Sequence, residues 1–222
     1  ITSEPGTTAN TIKKKYSNAV IVDKNGNEIT GDTLVGTGAK VKIDGVEFSN
    51  PLIAASGTFG FGKEYGEFYP LSKLGGISCK GITLKRRDGN PPPRIAETPS
   101  GILNAVGLQN PGVDVFINDD LPWLKQQNTR VIANIAGNTP EEYCEMAEKL
   151  SSTDVDMIEM NISCPNVKSG GVQFGTSCES VGSITSAVRK HCTKPLIVKL
   201  SPNVTDICLL YTSPSPRDST SS

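Results

Sequence analysis

The sequence predicts an α/β protein built on a parallel sheet, and two observations carry that expectation. From residue 51 onward, five short apolar segments alternate with segments of helical period, which is the pattern of repeated β-α units around a sheet. In addition, four of the five expected strands carry one large polar residue on the face opposite their apolar side chains: Lys80, Asn134, Asn161 and Lys199. A barrel brings such residues to one lumen, whereas an open sheet sends them to separate places. The expected fold class is therefore a (β/α)8 barrel with about the first five β-α units present, because 222 residues fall short of the ~250 a complete barrel takes.

Residues 1–40 differ in character from the rest. They are rich in Thr, Asn, Lys and Gly, and their one structural signal is a hairpin with Asn25-Gly26 as a type I′ turn between Val20–Val22 and Ile29–Thr30. They read as an N-terminal extension, 41–207 as the partial barrel, and 208–222 as a disordered or foreign tail. The barrel portion opens with a shorter hairpin, VKIDGVEF, turning at Asp44-Gly45. A strand over 51–57 and a helix over 64–75 follow, the latter with Tyr65, Phe68 and Tyr69 on one side.

The second strand spans 76–83, and Leu84 to Pro111 is a long segment rich in Pro and Gly. A loop of that length in a compact domain is usually functional. A helix over 113–127 and a strand over 130–137 come next. Thr139-Pro140-Glu141-Glu142 then opens a helix as a capping box, with Pro at the first helical position and an apolar stripe of Tyr143, Ala147 and Leu150. The fourth strand is Met157–Cys164. Thr176 and Glu179 form a second capping box, the helix after it closes on Arg189, Lys190 and His191 near its negative end, and the fifth strand spans 195–203.

Composition excludes some classes of function. Lys plus Arg total 22 against 23 for Asp plus Glu, and no long block of one sign occurs, so nucleic acid is not an expected partner. No apolar run approaches the ~18 residues of a membrane span. The six cysteines show neither CxxC pairs nor zinc-ligand clusters, which points away from a metal site and toward a reducing cytoplasm.

The candidate site is organised by MIEMNISCPNVKSGG, Met157 to Gly171. On an extended strand Ile158, Met160 and Ile162 share the apolar face while Glu159, Asn161 and Ser163 share the other. Cys164 and Asn166 then fall at the strand's C-terminal mouth, where parallel α/β proteins bind ligands. Two inward lysines cannot sit unpaired in an apolar interior. They require an anionic or accepting ligand, or an internal ion pair for which Glu159 is available. Cys79, Cys144 and Cys192 read as packing residues. Cys164, in a Pro- and Gly-bounded loop beside two amides, is a candidate proton acceptor if its thiol is held as thiolate. The glycines of GILNAVGLQNPG (101–112) let backbone amides approach a small ligand.

Taken together, ASGTFGFGKEYGEFY, CKGIT, NPPPRIAETPSGILNAVGLQNPG, NISCPNVKSGG and VKLSPN resemble dihydroorotate dehydrogenase, specifically the class 1B, NAD-linked bacterial catalytic subunit, over about Val41 to Ile207. The resemblance implies an FMN-containing (β/α)8 TIM barrel that oxidises dihydroorotate to orotate in pyrimidine synthesis. It implies that Cys164 is the base taking the C5 proton while C6 gives hydride to the flavin, and that Lys80 touches flavin and substrate. Asn104, Ala105, Val106, Gly107 and Leu108 match the loop that holds orotate, Asn161 an asparagine shared by both ligands, and Asn166 a further substrate amide. Ser56, Gly81, Asn134 and Lys199 match flavin contacts.

FAD and a 2Fe–2S cluster are then expected on a partner subunit, in an assembly around a homodimer of catalytic subunits. The fumarate-linked class 1A enzyme, a related dihydropyrimidine dehydrogenase and a flavin-free half-barrel are the alternative readings. The glycine-rich loops that hold flavin phosphate in the family are not found in this chain, which on that ground is expected to be an inactive fragment.

Overall fold

A computed structural model of the chain describes residues 19–22, 25, 27–30, 40–163, 175–202 and 204–211. The chain divides into two compact units, 1–79 with 123–132 and 80–122 with 133–222.

The first unit begins with a four-stranded antiparallel sheet ordered β2-β1-β3-β4, made of β1 Ala19–Val22, β2 Glu28–Ile29, β3 Lys40–Ile43 and β4 Val46–Phe48. Both expected hairpins are present. In the second, Asp44 and Gly45 both have positive φ, 45° and 84°, as a type I′ turn demands. In the first, Val22 pairs with Glu28, and Gly26 of the expected turn lies outside the described residues.

The sequence boundary after residue 40 runs through this sheet. β1 pairs along its whole length with β3, and Ile21 is fully buried. Lys40 Nζ lies 2.6 Å from Glu47 Oε1, and this hydrogen bond holds the Glu47 carboxyl below its usual range. Arg130 donates from Nε to the Glu47 carbonyl at 2.6 Å.

The same unit holds β5 Ile53–Ala54, β6 Gly76–Ser78 and the start of β9 Arg130–Ile135, with β5–β6 and β6–β9 pairing parallel. β5 is much shorter than the expected 51–57. The helix expected over 64–75 is instead one turn, α1 Lys63–Gly66, and a 3₁₀ turn Leu71–Lys73. Pro70 separates them, because its ring denies the preceding residue helical geometry and it has no N–H to donate. Phe68 is consequently 81% exposed and Tyr65 39%, so the aromatic stripe does not form.

The second unit takes up the rest of β9, β10 Met157–Asn161 and β11 Leu196–Lys199, the last two parallel. Strand order is β11-β10-β9 in this unit, and β9-β6-β5 in the first. The long segment 84–111 contains an antiparallel ribbon, β7 Ile95–Thr98 with β8 Gly101–Asn104. Helix α2 covers 113–125 and passes through a π turn at Phe116–Asp120. Pro122 accounts for the irregularity, since its missing N–H breaks the regular ladder there.

Helix α3, Pro140–Ser151, starts as expected, with Thr139 Oγ1 accepting from Glu142 N at 3.3 Å. The Glu142 carboxylate reaches Asn138 N at 2.6 Å and not the cap's own amide. Tyr143, Met146, Ala147 and Leu150 are fully buried, each such side chain contributing roughly 1–3 kcal/mol of transfer energy. Lys149 bonds Asp114 at 3.0 Å, tying α3 to α2 and raising the lysine's pKa.

Helix α4, Cys178–His191, is capped by Ser177, whose side chain accepts from Ser180 N. The cap thus falls one residue after the expected Thr176. A short helix α5, Ile207–Tyr211, follows, with Asp206 Oδ1 accepting from Cys208 N at 2.8 Å. Leu210 in it is buried. Residues 208–211 of the expected structureless tail are thus helical, and 212–222 lie outside the described residues.

Candidate ligand site at the strand ends

Ile158, Met160 and Ile162 are fully buried, as their shared face requires, and Glu159 and Asn161 take the other face of β10. The residues on this second face form a connected row within the second unit. Asn134, on β9 and fully buried, donates from Nδ2 to Glu159 Oε1 at 2.5 Å. Asn161 lies beside Lys199 in the ladder. On the other side of Asn134 stands Gly81, where an added Cβ would be 3.0 Å from Asn134 Oδ1 and 2.9 Å from Leu108 Cδ1. A side chain at 81 would require one of these side-chain ends to shift. The row therefore reads Leu108, Gly81, Asn134, Glu159, Asn161, Lys199.

The two asparagines present opposite ends. Asn161 Oδ1 accepts from Ser163 N at 3.1 Å and Ser163 Oγ at 2.8 Å, so its Nδ2 is the end left to donate. Tyr143 supports this strand end by donating to the Asn161 carbonyl at 2.8 Å. Asn134 spends its donor on Glu159, and its Oδ1 is buried with no partner among the described residues. A buried amide oxygen without a donor costs about 1–3 kcal/mol and points to a ligand group that donates to it.

The lysines depart from expectation. Lys80 and Lys199 are half-buried, not fully enclosed, so part of each side chain keeps its hydration. Glu159, available by sequence for an ion pair, is bonded to Asn134. Lys80 has no hydrogen bond or ion pair among the described residues. Ser56 belongs to the other unit.

The loop residues Asn104 and Ala105 are exposed, Val106 and Leu108 half-buried and Gly107 buried. Their backbone is held from behind. Ala105 N donates to Arg94 O at 2.8 Å, and Asn90 N donates to Val106 O at 3.0 Å. Asn90 Nδ2 reaches Ala105 O and Asn110 Nδ2 reaches Leu108 O, both at 2.8 Å. Leu108 has φ 56°, a left-handed conformation that a branched side chain adopts only under constraint.

Asn110 is the constraint that sequence reasoning passed over. Its Oδ1 accepts from Thr83 N and Gly112 N, each at 3.0 Å, and its backbone exchanges two bonds with Arg87. The signal was its place in GLQNPG, between two glycines and before a proline.

Cys164 and Asn166 lie outside the described residues. Of the other cysteines, Cys144 has its thiol pushed up by burial and then by Glu141, the opposite of an activated base. Among the described residues no group of three or more His, Cys, Asp or Glu could hold a metal, and no helix is long and apolar enough to cross a membrane.

A parallel sheet with polar residues gathered at its strand ends and a glycine-bearing loop beside them defines an α/β protein with the arrangement at which such sheets bind ligands. The sequence profile of the dihydroorotate dehydrogenase family matches residues 38–211, and the chain belongs to that family. It is 60% identical over 168 residues to the protein named dihydroorotate dehydrogenase B (NAD(+)), catalytic subunit, of Petrotoga mobilis, and equally so to that of Alkaliphilus metalliredigens, covering 76% of this chain and 56% of each relative. The chain thus spans about half the length of the curated relatives it matches.

Among solved structures, the crystal structure of DHODH in complex with ferulenol from Eimeria tenella aligns with TM-score 0.61 at 22% identity, over 76% of this chain and 53% of that one. The fold is accordingly that of the (β/α)8 barrel family, here as an open parallel sheet among the described residues. The family is flavin-dependent. Asn134 Oδ1, an acceptor with no partner among the described residues, fits a ring carrying an N–H, and Lys199 fits a group that gains negative charge.

Proposed function

We propose that this chain carries the substrate- and flavin-facing part of an enzyme that oxidises dihydroorotate to orotate, with FMN as its cofactor. The observation that carries the reading is the row Leu108–Gly81–Asn134–Glu159–Asn161–Lys199, in which an acceptor amide, a donor amide and a cation stand at adjacent strand ends. When bound, FMN would supply the two-electron acceptor. Asn134, Gly81 and Lys199 would hold the ring, Lys199 offsetting negative charge on it.

Lys80, with the backbone of 104–108, binds the substrate. Its ammonium suits a carboxylate, since a charge-assisted bond in a partly dry site is stronger than a neutral one. Cys164 Sγ, as thiolate, takes the C5 proton, and the electron pair of that C–H bond forms the C5–C6 double bond as C6 gives up its hydrogen with the bonding pair, a hydride for which FMN, when bound, would be the acceptor. Asn161 Nδ2 and Asn166 donate to the substrate and keep the reacting carbon facing the base. The name catalytic subunit carried by the relatives supports a partner subunit, which we assign FAD and a 2Fe–2S cluster for delivery to NAD.

Anaerobic mixing of the full-length protein with dihydroorotate should bleach the flavin absorbance. Cys164→Ser should slow the bleaching at neutral pH by two or more orders of magnitude and move it to higher pH, since a serine hydroxyl is a poorer acceptor. Bleaching by dihydrouracil and not dihydroorotate would replace the substrate, and an unchanged rate and pH profile in the serine variant would remove Cys164 from the reaction.

A further inference from the structure

Among the described residues three buried side-chain polar atoms lack a partner: Ser78 Oγ, Thr185 Oγ1 and Asn134 Oδ1. A hydroxyl can rotate to find an acceptor. The Asn134 oxygen cannot, because its amide is held from the other end. An ionised carboxylate accepts and never donates, so the bond to Glu159 Oε1 requires Nδ2 on that side and leaves Oδ1 turned away, toward Gly81. Which end of Asn134 meets the site is thus decided by a residue on the neighbouring strand, two positions before Asn161 and on the same face.

We propose that Glu159 is a positioning residue: by locking the Asn134 amide it makes Asn134 an acceptor toward the bound ring, and so selects a ring that presents an N–H. The inference rests on the flavin reading above. Oxidised flavin carries one ring N–H, that of its imide, flanked by two carbonyls that suit donors such as Lys199. If Asn134 were free to turn over, its NH2 would meet that N–H donor to donor, and half of its orientations would oppose binding. A ring lacking the N–H leaves the buried oxygen orphaned, which is the strongest form of discrimination a polar site has.

The test compares FMN with FMN methylated at the imide nitrogen, by quenching of flavin fluorescence in the full-length protein, with far-UV circular dichroism to establish that each variant is folded. The unaltered protein should prefer FMN about tenfold or more, by the loss of one buried hydrogen bond. In Glu159→Leu the preference should fall to about twofold or less, through weaker FMN binding. Glu159→Gln keeps the shape and can still accept from Nδ2, but it also permits the reversed amide, and should show an intermediate preference.

Full preference in Glu159→Leu, or in Glu159→Gln if the leucine variant does not fold, would overturn the positioning role. Equal binding of the two flavins by the unaltered protein would overturn the polarity assigned to Asn134. Binding of neither flavin would instead overturn the cofactor reading, and this inference with it.

Discussion

Asn110 and Asn134 are both buried asparagines in the same unit, 5% and 0% exposed, and their surroundings are opposite. Asn110 spends its side chain inside the chain: Thr83 and Gly112 amides on its oxygen, the Leu108 carbonyl and the Thr83 hydroxyl on its nitrogen. Asn134 spends one end on Glu159 and keeps an oxygen without a partner. An amide whose valences are all used internally holds the fold, while one left half satisfied keeps an acceptor for a further group. Residue type and burial do not separate the two roles, but the hydrogen-bond inventory does.

The largest effect should come from the closed amide. Asn110→Ala leaves two amide N–H groups and a carbonyl unpaired and frees Leu108 from its strained geometry, so we expect a loss of about 3 kcal/mol in stability, read from chemical denaturation. A loss under about 1 kcal/mol would show that water replaces the clamp.

Asn134→Leu is near isosteric and removes the orphaned oxygen. Stability should change by less than about 1.5 kcal/mol, while FMN affinity drops tenfold or more by equilibrium dialysis. If stability fell as in the Asn110 variant with flavin binding intact, the two amides would have the same role and the contrast would collapse.

Lys80→Ala should leave stability within about 0.5 kcal/mol, as for a half-exposed residue with no internal partner, and weaken orotate binding by an order of magnitude or more. Titration of the flavin spectrum with orotate checks this; unaltered affinity would return Lys80 to the surface.

The smallest effect concerns Glu47, whose depressed pKa comes from the Lys40 hydrogen bond. A carboxyl lowered in the folded state stabilises above its unfolded pKa, and that contribution fades as pH falls through the folded value. Glu47→Gln should therefore lower stability slightly at neutral pH, leave it nearly unchanged at pH below the carboxyl's titration, and so flatten the acid limb of the profile. A change confined to alkaline pH would point to another group.

Much of the architecture could be read from one dimension. The two hairpins, the Thr139 cap, the stripe Tyr143–Ala147–Leu150 and the faces of Met157–Asn161 follow from local rules, namely period, capping and turn chemistry, which act within a few residues. Local breakers explain some misses in the same terms: Pro70 cut a helix that periodicity favoured, and Pro122 put a π turn into another. β1 joining β3, and the ribbon 95–104 inside an expected loop, depended on pairing partners that propensity does not name.

The candidate site divides the same way. Lys80, Asn134, Asn161 and Lys199 could be chosen from the sequence because alternation assigns each to the inward face of a strand. Only the tertiary structure decided that Glu159 accepts from Asn134, that Asn110 stays internal, and that the buried Asn134 turns its Oδ1 toward Gly81. Hydrogen-bond polarity is set by groups 25 and 27 residues away in the chain, and no local pattern carries information over that distance.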